Sequence, residues 1–263
     1  MRNLLRKFLN KAKNRIPEII KQEGFLPLLG RPFIRAKQIF YVRFFLLKVK
    51  KLHNNYNLES LINFVNLSQE GLIKPLQNRY EILRLLKILQ KDKPKYILEI
   101  GTASGGTIFL FSRVIAEDAV IISIDLPGGE FGGGYPKWKI PLYKAVALPK
   151  QEIYLIREDS HNVSALNKIK RILKGRKLDF LFIDGDHTYN GVKKDFEMYS
   201  PLVDKEGKIA FHDIIPHPIV TNTKVNVFWN EIKRIYEYEE IIEDRDQDLW
   251  GIGLLKNIKE IQL

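Results

Sequence analysis

The sequence predicts an open α/β fold, Rossmann-like and doubly wound, and three observations predict it. From Tyr96 onward short apolar runs alternate with helical segments, a pattern that forces a parallel sheet with helices on both faces. Leu178–Ile183 is an apolar run with two aromatics, bounded by charge on one side and Asp184-Gly185 on the other. It reads as a strand buried on both faces. The runs end in glycine, carboxylate and imidazole, at the strand termini where open α/β sheets keep their chemistry.

The 263 residues allow one large domain, or one domain plus an appendage. The absence of cysteine excludes a disulfide framework and a thiolate metal site. Any metal must be held by oxygen and imidazole, which favours magnesium, manganese or calcium and leaves zinc open. The net charge of +12 is concentrated at one end. Residues 1–53 hold 14 Lys and Arg against Glu18 and Glu23, and the remainder is neutral, with 29 basic and 29 acidic residues. A neutral domain argues against a broad nucleic-acid groove there. The basic arm is left to meet phosphates of lipid or RNA, or a second subunit.

In order, residues 1–22 alternate basic and apolar positions at helical spacing, interrupted by Pro17. A helix with such faces can lie on an anionic membrane, or pack on the domain or on another copy. Gly24, Pro27, Gly30 and Pro32 mark a loop, and a second basic, aromatic-rich helix is expected from about Phe33 to Leu52. Ile39–Val49 is about half the ~20 residues a membrane span needs and contains Arg43. No secretory signal is legible, so the expected location is cytoplasmic, peripheral where the arm docks. Residues 54–75 read as a linker and short helix, Leu58–Val65, and residues 76–263 as the main domain.

Gln77–Lys91 is a helix with Ile82, Leu85, Leu86 and Leu89 on one face. Strands are expected at Tyr96–Ile100, Val120–Ile124, Ile153–Ile156, Leu178–Ile183 and Lys208–Phe211, the last preceded by a turn at Lys205-Glu206-Gly207. Helices are expected at Thr107–Ala116, Val163–Leu173, Tyr189–Tyr199 and Val225–Tyr238, then strands at Glu239–Ile242 and Leu249–Leu255. Gly128–Tyr135 reads as a flexible, aromatic-tipped loop that either closes over a substrate or is a disordered surface excursion. Trp229 and Trp250 are expected in or beside the core.

The first strand runs Leu98-Glu99-Ile100 into the turn Gly101-Thr102-Ala103-Ser104-Gly105-Gly106. Glycines there let a ligand approach the backbone and aim a helix N-terminus at it. Asp125 follows Gly101 by 24 residues, placed to accept from both hydroxyls of a ribose. The pair points to a ligand carrying adenosine. Asp159 and Ser160 end the third strand, near the adenine by sheet order, and also suit the N-cap of the next helix. Asp184 and Asp213 end neighbouring strands and, with His212 nearby, can hold a hard divalent cation. His187 is the candidate general base.

These segments, Leu98-Glu99-Ile100-Gly101, Asp125, Asp159-Ser160, Phe182-Ile183-Asp184-Gly185-Asp186-His187 and Phe211-His212-Asp213, resemble class I S-adenosylmethionine-dependent methyltransferases. Within that class they resemble the group of macrolide-sugar and rhamnosyl O-methyltransferases and cephalosporin hydroxylase-like proteins. The resemblance covers residues 75–255. It implies seven strands with the last antiparallel, magnesium at Asp184 and Asp213, and a base at His187. Glu99, Gly101, Thr102, Gly105, Asp125, Asp159 and Ser160 are then the expected cofactor contacts. Catechol-type enzymes place an Asn after the second metal aspartate; here the residue is Ile214. The expected reaction is metal-assisted methyl transfer to a hydroxyl of a sugar or other polyhydroxylated small molecule. Two rivals are RNA methylation docked by the basic arm, and a membrane-peripheral or assembly protein with a vestigial pocket. A homo-oligomer is compatible with each.

Overall fold

In the computed structural model the described residues are 39–50, 52, 56–68, 72–128, 134–217 and 222–258. The chain divides into two compact units, Met1–Lys51 and Leu52–Leu263. Of the first, only a helical segment over residues 39–50 is described. The faces expected over residues 1–22, the loop at residues 24–32 and the start of the second helix lie outside the described residues. Among the described residues no helix is long and apolar enough to cross a membrane.

In the second unit α1 (Leu58–Asn66) and α2 (Arg79–Asp92) precede the sheet. The side chains of Asn57 and Asn78 cap them by accepting from first-turn N–H groups. Helix α2 ends at Lys93 in the left-handed conformation, ahead of Pro94. The strands are β1 (Tyr96–Ile100), β2 (Val120–Asp125), β3 (Glu152–Arg157), β4 (Leu178–Ile183), β5 (Val203–His212), β6 (Glu237–Ile241) and β7 (Ile252–Lys256). The helices between them are α3 (Gly106–Val114), α4 (Ile140–Ala145), α5 (Val163–Leu173), α6 (Tyr189–Tyr199) and α7 (Val225–Ile232). The sheet order is β3-β2-β1-β4-β5-β7-β6. Strands β1 to β5 pair in parallel, and β7 is antiparallel to both neighbours. The order reverses beside β1, at the switch point where such sheets bind ligands.

Three expectations change. Lys205-Glu206-Gly207 is not a turn ahead of a strand: β5 begins at Val203, and Asp204–Gly207 bulge where Leu178 pairs Val203 and Phe180 pairs Lys208. The last helix stops at Ile232, because Glu237–Ile241 forms the edge strand. Between β2 and β3 stand a turn of 3-10 helix (Lys137–Lys139) and α4, where no element was expected.

Helix α3 is buried on every side. Phe109 stacks on Phe64 of α1 at 5.6 Å, and Phe111 meets Phe180 and Phe182 of β4 edge-on. Each buried Phe contributes about 1.5–3 kcal/mol, so α3 is clamped between α1 and the sheet with its N-terminus at the β1 turn. Trp229 is in the core, against Gly253 of β7, where a Cβ would lie 2.7 Å from the indole.

Candidate active site

The C-terminal ends of β1 to β5 open into one cleft of about 570 Å³. Its floor depends on Gly101. With φ +99°, a Cβ there would stand 1.9 Å from the backbone oxygen of Asp184, so only glycine lets the ends of β1 and β4 touch. Gly105 (φ +80°) makes room for the ring of Tyr143 on α4. Tyr143 donates to Ala103 O at 3.0 Å and braces the turn from behind. These glycines therefore admit protein neighbours, while the cleft wall is made by Gly101, Thr102, Ala103, Ser104 and Gly106.

Asp125 stands where the ribose acceptor was expected. Its Oδ2 accepts from Ala103 N–H at 2.7 Å and its Oδ1 from Gly134 N–H at 2.9 Å. Burial raises its proton affinity and these backbone donors counter part of the effect. The backbone bonds fix the carboxylate at the cleft wall. Gly134 also closes against Gly128, its Cβ position 2.6 Å from Gly128 N. The rest of that loop, residues 129–133, lies outside the described residues.

Glu99 does not reach the cleft. It is buried behind the β1 turn, where Thr107 Oγ1 donates to Oε1 and Ser123 Oγ to Oε2, the latter at 2.6 Å. Thr102 Oγ1 lies 2.6 Å from the same Ser123 hydroxyl. Burial pushes the Glu99 carboxyl up to about 8 despite both hydroxyl donors.

Asp159 and Ser160 line the cleft beyond β3. Asp159 Oδ1 accepts from His161 N–H at 2.8 Å, and Ser160 O accepts from Tyr199 OH at 2.6 Å. The cap position of α5 belongs to Asn162, whose side chain makes no capping bond. Under this loop half-buried His161 meets buried Asp195, a pair that sequence reasoning missed. His161 Nε2 lies 3.3 Å from Asp195 Oδ1 and 3.2 Å from Gly191 O. Asp195 is fully buried on α6, so α6 supports the turns after both β3 and β4.

On the other side of β1 the four remaining residues converge. His187 bridges the carboxylates, with Nδ1 3.0 Å from Asp213 Oδ2 and Nε2 3.4 Å from Asp184 Oδ1. His212 Nδ1 lies 3.0 Å from Asp184 Oδ1 and 3.4 Å from Asp213 Oδ1. Gln77 Nε2 donates to Asp184 Oδ2 at 2.9 Å. Asp213 adopts φ +61°, an uncommon conformation for an L residue that suits a site where geometry outranks local comfort. Asp186 braces its own loop, where its Oδ1 accepts from Thr188 N–H at 2.9 Å and its side chain lies over Gly191.

The charges follow from the packing. Burial alone would lower both imidazoles, but Asp184 and Asp213 push His187 up to about 10 and His212 up to about 9. Burial alone would raise the carboxyls, yet the two imidazoles hold Asp184 and Asp213 below the ordinary range. His187 was expected to stand open to the cleft as a base. Its side chain is only 15% exposed, and bridged in this way it keeps its proton at neutral pH. Asp184 and Asp213 fit a hard cation in donor type, and the imidazole of His212 suits a softer one such as zinc. Among the described residues no group of three or more His, Asp or Glu is arranged to hold one. Cation and imidazolium are alternative ways to compensate the same two carboxylates.

Trp250, expected with Trp229 in or beside the core, is 38% exposed and lines the cleft near Asp213. It adopts φ +70°, held by Ile215 N–H donating to its carbonyl at 2.9 Å and by Gly251 N–H donating to buried Glu81 at 2.9 Å.

Residues 98–214 match the family model described as a methyltransferase domain. The solved structures the chain resembles include an O-methyltransferase from Bacillus cereus in complex with S-adenosylhomocysteine (TM-score 0.51, 15% identity, 76% of this chain and 90% of that one). Another is TomG from Streptomyces achromogenes, an O-methyltransferase of tomaymycin synthesis in complex with S-adenosylmethionine (TM-score 0.52, 13% identity, 79% and 93%). At these identities the likeness is one of fold. Among curated sequences, a protein of Sinorhizobium fredii is 29% identical over 129 residues, which is 46% of this chain and 13% of that protein. A protein of Acanthamoeba polyphaga mimivirus is 29% identical over 131 residues, 49% and 55%. The chain thus spans about half of one curated relative and a small part of the other.

Proposed function

We propose that the chain is a class I S-adenosylmethionine-dependent methyltransferase, a reading supported by the methyltransferase-domain match over residues 98–214 and by the fold, and that it methylates a hydroxyl of a sugar or other polyhydroxylated small molecule. The observation that carries the reading is one cleft joining a backbone-fixed Asp125 to the Asp184–His187–Asp213 cluster. The first end suits a ribose and the second a proton transfer. When bound, S-adenosylmethionine supplies a sulfonium methyl, whose C–S bond breaks as the acceptor oxygen forms its bond to carbon. Asp125 accepts from the ribose hydroxyls, the β1 turn from Gly101 to Gly106 flanks the same ligand, and Asp159 and Ser160 meet the base.

In this reading Asp184 and Asp213, with His212 beside them, would hold a divalent cation, which would acidify the acceptor hydroxyl. With a cation there to compensate the carboxylates, His187 would lose the pairing that keeps its proton bound and would release that proton to solvent. The neutral imidazole would then take the acceptor's proton as the oxygen–carbon bond forms. Trp250 offers an indole face beside this end of the cleft, suited to the C–H face of a sugar ring.

Two measurements test the scheme. In calorimetry, S-adenosylmethionine binds the wild type, and Asp125→Ala weakens it by about 100-fold, the equivalent of one or two charge-assisted hydrogen bonds. Mass spectrometry then follows methylation across free sugars and inositol, with magnesium and with chelator. No cofactor binding, or equal affinity in the variant, removes the cofactor assignment. Activity indifferent to chelator removes Asp184 and Asp213 from metal binding while leaving methyl transfer standing.

A further inference from the structure

We propose that the helical segment over residues 39–50 is a docking surface for anionic lipid headgroups, seated at the bilayer interface. Successive helical residues turn by about 100°, which brings Phe40, Phe44 and Leu47 into one stripe with Arg43 along one flank and Lys48 along the other. Phe40, Phe44 and Leu47 are 61%, 36% and 59% exposed. The rings of Phe40 and Phe44 stack at 6.1 Å, and Lys48 Nζ stands 4.5 Å from the Phe44 centroid. Phe45, on another face of the segment, is buried. The outward face therefore carries the aromatics, where solvation alone would select polar side chains.

Charge selects the occupant. Residues 31–53 hold seven Lys and Arg and no acid, while everything after residue 53 is neutral. An apolar stripe flanked by cations matches a leaflet of anionic headgroups: the rings enter the acyl boundary and the long basic side chains reach back to phosphate. RNA would use the cations, and its bases could stack on Phe40 and Phe44. It offers nothing to Ile39 and Leu47, which are aliphatic and exposed. The surface lies in the first unit, and its lipid binding does not depend on the catalytic reading.

The test uses the full chain and two vesicle populations, phosphatidylcholine alone and phosphatidylcholine with phosphatidylserine as about a third of the lipid. The expected result is co-sedimentation with the anionic vesicles, weakened by salt, and about tenfold weaker partitioning for the triple variant F40S/F44S/L47S. Thermal unfolding and calorimetric binding of S-adenosylmethionine stay as in the wild type, because the three side chains are exposed. No binding to anionic vesicles overturns the proposal. So does undiminished binding by the triple variant, which would leave bulk charge as the only attraction. A self-associated species that the variant dissociates, or displacement from vesicles by equimolar poly(U), would assign the stripe to a second copy or to RNA and also overturn it.

Discussion

Replacing Glu99 by Gln separates a brace from a cofactor contact. Both carboxylate oxygens already accept hydroxyl hydrogens from Thr107 and Ser123, and the group does not face the cleft. Burial moves its titration from 4.5 to about 8, so between those values the folded protein holds one proton that the unfolded chain has released. Stability from this group is complete below about pH 4.5 and is lost as pH rises through 8. The slope is about 1.4 kcal/mol per pH unit, or about 5 kcal/mol across the window at most. Gln mimics the protonated acid, since the Thr102 and Ser123 hydroxyls, 2.6 Å apart, can reverse their bond. Urea unfolding of both proteins from pH 5 to 9 reads the difference. E99Q should lose less stability with rising pH and overtake the wild type by neutral pH, with affinity for S-adenosylmethionine within about threefold. Parallel pH profiles would refute the buried-proton argument. Lost cofactor affinity in a fully folded E99Q would restore Glu99 to the binding surface.

Two further outcomes follow from the geometry. Gly101→Ala must place a methyl against Asp184 O with a left-handed backbone, so it should lose more than about 3 kcal/mol, or fail to fold; a melting temperature like the wild type's would show that the ends of β1 and β4 can part cheaply. Asp213→Asn removes one of the two carboxylates that raise His187, so the imidazole should titrate well below 10 in proton NMR. In the wild type the His187 contribution is complete below about pH 6.5 and is lost toward pH 10; the variant should flatten that decline, and an unmoved resonance would show that Asp184 alone holds the proton.

The strands of the sheet were legible because each core strand is a short apolar run ended by glycine, proline or charge, and α5 and α6 because their faces repeat at helical spacing. The helix begun at Val225 was read too long because Tyr236 and Tyr238 continue its apolar spacing, while the pairing of Glu237–Ile241 with β7 is a tertiary matter. Helix α4 was missed: six residues carrying Pro141 give too short a period to read. At the site, local strand endings located Asp125, Asp184, His187, His212 and Asp213. The residues that set their charge and orientation come from far away in sequence. Gln77 reaches Asp184 across 107 residues, and the Asp195–His161 pair joins α6 to the loop after β3. Glu99 was misplaced for a related reason, since a strand's alternation gives its two faces but not which of them lies under a helix.

The stretch from Gln77 to Glu81 lies outside the segment that matches the methyltransferase model, yet it ties the end of β4 to the segment between β6 and β7. Gln77 holds Asp184, Asn78 meets Glu243, and Glu81 takes Gln247 and Gly251. A chimaera or minimal version cut at residues 98 and 214 would keep the signature and forfeit the hand that steadies it. A graft that keeps residues 77–81 and 243–251 with the strands they join preserves those bonds.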